Sequence, residues 1–187
     1  MKGFMMNATH KERLIPFSLC LGIIALDQLT KLIVSLTVRP WSVGASFFDG
    51  ILRIVRVYNP GIAFSIGGSL SGSVRGVLFA LLPFIVIVIV TAVYFRSNDL
   101  TRYQRWCVSG ILGGGLGNII DRFFRPEGVL DFIDVKFWGL FGLERWPTFN
   151  VADSAVVVCG ILLMLSLLGS VMQEARGKDT DSAGEAL

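Results

Sequence analysis

The chain has 187 residues, enough for one domain of ordinary size, and a formal net charge of +3. Hydrophobic residues make up 53% of it and charged residues only 17%, whereas a soluble domain usually carries about 25% charged residues. This composition excludes an ordinary soluble protein. Because Lys and Arg form no dense patch, it also excludes a nucleic-acid-binding protein.

Four apolar segments are predicted to be membrane-spanning helices, each of which needs roughly 20 residues. In chain order they are residues 14–36, 74–95, 106–124 and 151–172. The third is short and rich in glycine. We therefore predict an all-α membrane protein with a small β element, built as one domain over residues 1–173. The polar tail at 174–187 has the composition of a disordered segment.

Two longer loops are predicted on the side opposite the termini. Residues 37–73 contain ILRIVRVY, a β-branched run typical of a strand, followed by the turn signal NPG. We expect a small sheet there, on the membrane surface. Residues 121–150 contain Trp138 and Trp146, which suit the membrane–water interface.

Lys and Arg residues give one indication of how the chain is oriented in the membrane, which comes from the loop where they are densest. The two sides carry equal numbers of these residues, but the loop at 96–105 holds three of them in ten residues. Positive residues favour the cytoplasmic side of a membrane. We therefore expect both termini in the cytoplasm and both long loops outside.

The side chains that could carry chemistry are mainly carboxylates. The only histidine, His10, lies in the N-terminal tail, which excludes a Ser-His-Asp triad or a Cys-His pair between the helices. No H-E-x-x-H zinc motif is present, and we expect no metal and no cofactor. The cysteines, Cys20, Cys107 and Cys159, lie in apolar runs and are expected to be free thiols.

Two pairs of polar residues occur at helical spacing inside predicted spans, where a charge is costly unless it is paired or hydrated. Asp27 and Lys31 are four apart and share a helix face. They form either a simple ion pair near the helix end or part of a site. Asn118 and Arg122 are also four apart, in GGGLGNIIDRFF. They are either the polar exit of a packing helix or members of a shared polar site.

Two further segments carry acidic residues on the predicted outer side. In VLDFIDV, Asp131 and Asp134 are three apart, so in an extended strand they point to opposite faces. A solvated acidic loop is the alternative. In FNVADS, Asn150 is a favoured helix N-cap, and Asp153 lies where the helix dipole stabilises negative charge. Capping alone would account for both residues.

Two carboxylates from separate segments, sharing one proton, are the minimum for aspartic peptidase chemistry. One acts as a base on water and the other donates a hydrogen bond to the carbonyl oxygen. Both Asp131 and Asp153 lie on the predicted outer side, so the spacing permits them to meet.

The ordered set of motifs resembles that of the bacterial lipoprotein signal peptidases, also called signal peptidase II, over nearly the whole chain. The matching motifs are DQLTK at 27–31, NPGIAFS at 59–65, GGGLGNIIDR at 113–122, VLDFIDV at 129–135 and FNVADS at 149–154. The resemblance implies that Asp131 and Asp153 are the catalytic pair. The residues it implies for substrate binding or site support are Asp27, Lys31, Asn59, Gly61, Asn118, Arg122, Asn150 and Ala152.

The resemblance implies a membrane aspartic endopeptidase that uses neither a metal nor a cofactor. Its substrates would be prolipoproteins with a diacylglyceryl-modified cysteine, cleaved at the amide just before that cysteine. The enzyme would lie in the bacterial cytoplasmic (inner) membrane, with its active site facing the periplasmic or outer side. The partners expected are these substrates and membrane lipids, with no nucleic acid, and we expect a monomer.

Two other classes of protein remain as alternatives. A proton-coupled transporter could use Asp27, Asp131 and Asp153 as a relay, but we would expect its carboxylates deeper in the membrane and internal repeats in its sequence. A non-enzymatic membrane scaffold would need no paired carboxylates.

Overall fold

The protein is described by a computed structural model that covers residues 10–61 and 72–184, with side chains over 10–61 and 80–173. The helices are α1 (His10–Leu14), α2 (Phe17–Thr37), α3 (Gly72–Arg96), α4 (Arg102–Phe124) and α5 (Val151–Gly184). The strands are β1 (Ser42–Phe47), β2 (Leu52–Asn59), β3 (Val129–Leu140) and β4 (Leu143–Arg145). The described residues exclude 62–71, which belong to the predicted outer loop and the NPGIAFS motif, as well as 1–9 and 185–187.

Helices occupy all four segments predicted to span the membrane, and the small sheet lies where strands were expected, so the mostly helical class with a β element is confirmed. By length and composition, two stretches of the described helices could cross a membrane, His10–Thr37 and Val151–Gln173. The described part of α3 contributes a shorter apolar stretch, Ala80–Arg96.

Helix α4 has a less apolar composition because it lies between other helices. It packs against α2, α3 and α5, and most of its residues from 104 to 121 are buried. Its glycines allow this close approach. A Cβ at Gly114 would overlap the carbonyl oxygen of Ala152, and one at Gly117 would lie 2.8 Å from Oδ2 of Asp27. Small residues commonly serve this purpose between membrane helices.

The outer faces of the other helices are strongly apolar. Large hydrophobic side chains are exposed along α2, the described part of α3, and α5. Contiguous apolar surface of this extent is rare on a soluble monomer and is typical of contact with lipid. Examples are Leu29, Leu36, Leu82, Ile89, Val93, Ile161, Leu165 and Val171.

The four strands form one antiparallel sheet in the order β1-β2-β3-β4. Its inner face packs on the ends of the helices through a buried cluster that joins α2, β2 and β3. Ile133 of β3 also pairs with Phe149, just before α5. The sheet is thereby fixed over the end of the helical bundle. The cluster contains Val34, Val38, Tyr58, Leu130 and Phe132.

Two segments have more regular structure than their sequence indicated. Residues 136–146 form a hairpin, in which Lys136 lies opposite Arg145 and Leu140 opposite Leu143, and the backbone N–H of Trp146 donates to Val135. Helix α5 continues to Gly184, so the disorder expected of the tail is wrong for residues 174–184. Once a helix has formed, each added residue gains one backbone hydrogen bond, and a polar composition does not prevent that.

Candidate active site

Asn150 lies between the two candidate catalytic carboxylates and contacts both. Its side-chain amide donates a hydrogen bond to Oδ1 of Asp131, at 2.7 Å. Its backbone N–H donates to Oδ2 of Asp153, at 3.1 Å. The structure therefore brings Asp131, on β3, and Asp153, on α5, to opposite sides of one fully buried residue.

Capping of α5 and contact with Asp131 occur together rather than as alternatives. Oδ1 of Asn150 accepts a hydrogen bond from the backbone N–H of Asp153, at 2.9 Å. With the bond from the Asn150 backbone to Asp153, this makes a reciprocal cap of the kind that satisfies two free N–H groups at a helix start. The amide nitrogen of Asn150 takes no part in this cap and donates to Asp131 and to Oδ1 of Asn118.

The second oxygen of Asp153 is held by α4. The side-chain amide of Asn118 donates to Oδ1 of Asp153, at 2.7 Å. Each carboxylate oxygen of Asp153 thus accepts an N–H donor, an arrangement that suits a negatively charged group. Oδ1 of Asn118 accepts from Asn150, at 3.1 Å, and from Lys31, at 3.0 Å, which fixes the orientation of the amide.

Asp131 is 2% exposed and lies in a site that disfavours its charged form. Burial, and secondarily the negative charge of Asp153, raises the pKa of Asp131 to about 7. Hydrogen bonds from Asn59 and Asn150 act in the opposite direction. Near neutral pH, Asp131 is therefore protonated in a large fraction of molecules.

Asn59 reaches the site from the end of β2. Its Oδ1 accepts a hydrogen bond from the backbone N–H of Gly61, at 3.0 Å. Gly61 has a φ of 87°, a left-handed conformation that glycine adopts without steric cost. This turn uses the oxygen of Asn59, so its amide nitrogen is the group available to Asp131.

Lys31 and Asp27 form the expected ion pair, at 2.8 Å, but Lys31 does more than pair with its own helix. Its ammonium also lies 2.9 Å from Oδ2 of Asp121 and 3.0 Å from Oδ1 of Asn118. All three ammonium protons therefore have acceptors. Oδ1 of Asp27 accepts from the backbone N–H of Ala152, at 3.0 Å, which fixes the first turn of α5.

Asp121 belongs to the same buried network, although the sequence did not single it out. It is fully buried, pairs with Lys31 and Arg125, and accepts a hydrogen bond from the backbone N–H of Leu130, at 3.1 Å. Leu130 precedes Asp131, so Asp121 ties α4 to the strand that carries the first candidate carboxylate. Its spacing of three residues from Asn118, on one helix face, was a signal that could have found it.

Arg122 lies at the edge of the same network. It interacts electrostatically with Asp153 and Asp131. Its Nη1 donates to the backbone oxygen of Asn118, at 3.3 Å, while its buried Nε has no hydrogen-bond partner in the described part of the chain. Among the ion pairs of the described residues, none joins Arg122 to either carboxylate. Its guanidinium nevertheless provides positive charge beside the site.

Asp134 is held away from the site. Its partner is Arg145, with 2.5 Å between Nε and Oδ1. β4 pairs with β3 and carries Arg145 back to Asp134, a pairing that the sequence did not indicate. The two aspartates of the strand thus have different partners, as the alternation of an extended strand requires.

An apolar cavity of about 330 Å³ opens beside Asp153. Its wall is formed by the end of the hairpin and the first two turns of α5. Within the residues that the structure describes, no group of three or more His, Cys, Asp or Glu side chains could hold a metal ion. The lining residues are Trp146, Phe149, Asp153, Ser154, Val157 and Val158.

A family model and individual relatives of known name point to the same protein family. The model of the signal peptidase (SPase) II family matches residues 19–169. A lipoprotein signal peptidase of Treponema pallidum is 48% identical over 159 residues, which cover 85% of this chain and 86% of the relative. One from Treponema denticola is 46% identical over 172 residues, covering 91% and 98% respectively.

Solved structures agree in fold. A bacterial membrane enzyme determined by the in meso method at 2.3 Å resolution superposes with a TM-score of 0.68 at 28% identity, covering 84% of this chain and 89% of the other. A second, at 1.9 Å resolution, gives a TM-score of 0.69 at 27% identity, covering 82% and 92%.

Proposed function

This chain belongs to the signal peptidase II family, a family of aspartic peptidases, and we propose that Asp131 and Asp153 are its catalytic pair. The substrate is a prolipoprotein whose cysteine carries a diacylglyceryl group, and the amide bond just before that cysteine is cleaved. The main observation behind the proposal is that both carboxylates accept hydrogen bonds from the same residue, Asn150.

The two carboxylates divide the chemistry according to their surroundings. Asp131, with a pKa raised to about 7, begins protonated and donates a hydrogen bond to the carbonyl oxygen of the scissile bond. Asp153, which receives two N–H donors, begins ionised and takes a proton from the attacking water. The water oxygen bonds to the carbonyl carbon while the proton of Asp131 passes to the carbonyl oxygen.

Collapse of the tetrahedral diol completes the reaction. Asp153 gives its proton to the amide nitrogen, the C–N bond breaks, and Asp131 recovers a proton from a hydroxyl of the diol. The products are the carboxyl end of the signal peptide and the free amine of the lipidated cysteine. Both carboxylates return to their starting protonation states, so no cofactor is needed.

The supporting residues hold this geometry. Asn118, Asn150 and Asn59 orient the carboxylates, and Ala152 gives its backbone N–H to Asp27. Lys31 connects this inner network to Asn118. Arg122 adds positive charge near the site as negative charge moves between the carboxylates and the carbonyl oxygen.

The same proposal includes a membrane topology. The predicted spans 14–36, 74–95, 106–124 and 151–172 all cross the bacterial cytoplasmic membrane, with both termini in the cytoplasm. The sheet and the site then face the periplasmic or outer side, and the enzyme acts as a monomeric domain over residues 1–173. Reporter fusions after Ser97 and after Gly142 test this, and they should report opposite sides. A Ser97 fusion located outside the cell would contradict the orientation.

The substrate class is tested with purified protein in lipid vesicles. Two precursors are compared, which are identical except that one carries the diacylglyceryl group on cysteine. We expect the lipidated precursor to be cleaved just before the cysteine and the unmodified one to be left intact. Mass spectrometry of both products identifies the bond that is cleaved. Equal cleavage of the two precursors would overturn the proposed substrate.

A further inference from the structure

The hairpin at residues 136–146 displays apolar side chains that no described part of the protein covers. Trp138 is 65% exposed and Phe141 85% exposed, and Leu140 is also exposed. Trp138 and Phe141 have φ values of 51° and 55°, in a backbone region that bulky residues rarely adopt. The hairpin thus holds its two largest tip residues outward despite backbone strain.

The base of the hairpin is well anchored, so the exposed tip is not a frayed end. The ring of Phe137 lies 5.0 Å from that of Trp146 and 6.4 Å from that of Phe141. Arg145 ties β4 to Asp134. The exposed tip therefore projects from a base that is held in place by these contacts.

The base of the hairpin lies next to the apolar outer face of α5. Trp146 lines one cavity together with Val157 and Val158 of α5. Val158 lies seven residues after the start of α5, or about 10 Å along the helix axis at 1.5 Å per residue. Both valines are exposed on the outer, apolar face of that helix. The base of the hairpin therefore lies beside the exposed apolar face of α5, and the apolar surface of the hairpin continues that face.

The neighbouring turn extends the same apolar surface. The backbone N–H of Lys136 donates to the carbonyl oxygen of Ile51, at 2.8 Å, so the turn between β1 and β2 lies against the base of the hairpin. Phe47, Phe48 and Ile51 of this turn are exposed. Two adjacent turns thus present large apolar side chains at one end of the sheet.

We propose that the hairpin at residues 136–146 is a lipid-binding element that inserts Trp138 and Phe141 into the outer interface of the membrane. Tryptophan is enriched at this interface because its ring is apolar and its N–H is polar. The hairpin then holds that edge of the sheet at a fixed depth beside the active site. The inference rests on the proposed membrane topology but not on the proposed catalytic pair.

The test is quenching of tryptophan fluorescence in vesicles made with brominated phosphatidylcholine. The signal of Trp138 is taken as the difference between the full-length protein and its Trp138→Phe variant. We expect brominated lipid to remove most of the Trp138 emission, and aqueous acrylamide to remove little. Phe141→Asp should reverse this pattern, and the apolar variant Phe141→Leu should keep it.

Two outcomes would overturn the proposal. Quenching of Trp138 by acrylamide but not by brominated lipid would place the hairpin in water. Protection of Trp138 from both would mean that another protein surface, such as a second copy of the chain, covers it. Because no step of the test requires cleavage, an inactive preparation does not affect it, and failure of the proposed catalytic pair would leave the result unchanged.

Discussion

The side-chain amide of Asn150 donates a hydrogen bond to Oδ1 of Asp131, at 2.7 Å. The backbone N–H of the same residue binds Asp153. One residue at the start of α5 thus sets the relative position of the two candidate catalytic carboxylates.

Asn150→Ala should lower kcat by a factor on the order of 10² or more, the scale for a misplaced acid or base. It removes the side-chain bond to Asp131 and the side-chain half of the cap of α5. The backbone N–H that binds Asp153 remains, so Asp131 loses its fixed position relative to Asp153. KM should change less, because Asn150 is buried. Steady-state cleavage of a lipidated precursor measures both constants. The matched control is Asn98→Ala in the exposed loop before α4, and equal activity of the two variants would exclude the positioning role.

The raised pKa of Asp131 predicts the pH dependence of cleavage. If Asp131 acts as the acid, kcat/KM falls as the pH rises through about 7, where it loses its proton. The hydrogen bond from Asn59 holds this pKa down. Asn59→Ala should therefore move the alkaline limb to higher pH. Asp134→Asn should leave the limb in place, and a limb that Asn59→Ala does not move, or moves downward, would contradict the assignment.

Lys31 is expected to be essential for stability as well as activity. Lys31→Met leaves the buried carboxylates of Asp27 and Asp121 without their shared cation. Breaking a buried pair in this way typically costs about 3–5 kcal/mol. Thermal unfolding in detergent should show a large decrease in melting temperature, whereas Lys11→Met, at an exposed position of α1, should show almost none. A Lys31→Met variant as stable as wild type would mean that the network is not needed for folding.

Asp134 should affect substrate binding more than the chemical step. Its contact with Arg145 holds β4 against β3. Because Asp134 is buried and Arg145 only partly exposed, loss of the contact should cost about 1–3 kcal/mol of stability. Asp134→Asn and Arg145→Gln should each keep a measurable kcat and raise KM modestly. The double variant should resemble either single one if the two residues act through the same contact. Loss of kcat in Asp134→Asn as complete as in Asp131→Asn, in a folded protein, would reopen the choice of the first catalytic carboxylate.

The site residues that the sequence indicated are those on one motif or one helix face. Asn118 follows from helical spacing, and Asn150 with Asp153 follows from capping preferences at the start of a helix. The strand at VLDFIDV separates Asp131 from Asp134 by alternation alone. In each case the information lies within a few residues of the chain.

The remaining contacts depend on how distant segments pack. Lys31 meets Asp121 because the glycines of α4 let α2 approach closely, which spacing along the chain cannot reveal. Arg145 meets Asp134 because the chain turns back at Gly142 into a short fourth strand. The sequence likewise failed to indicate that α4 is the enclosed helix, because the periodicity of apolar residues alone does not show which elements surround a helix.

The central claim is that Asp131 and Asp153 together carry out cleavage. The most direct measurement compares wild type with Asp131→Asn, Asp153→Asn and Asp134→Asn at matched levels in vesicles, using a diacylglyceryl-modified precursor. Asn keeps the shape of the side chain but cannot act as a base or exchange the proton. The pKa of Asp131 is raised from the ordinary value of 3.8 to about 7, so wild type loses stability as the pH rises through this range and the buried carboxyl ionises. Asp131→Asn carries no such charge and should be folded and at least as stable as wild type at pH 8. We predict no detectable cleavage by Asp131→Asn or Asp153→Asn and clear cleavage by Asp134→Asn. Near-normal turnover by either of the first two variants would contradict the account.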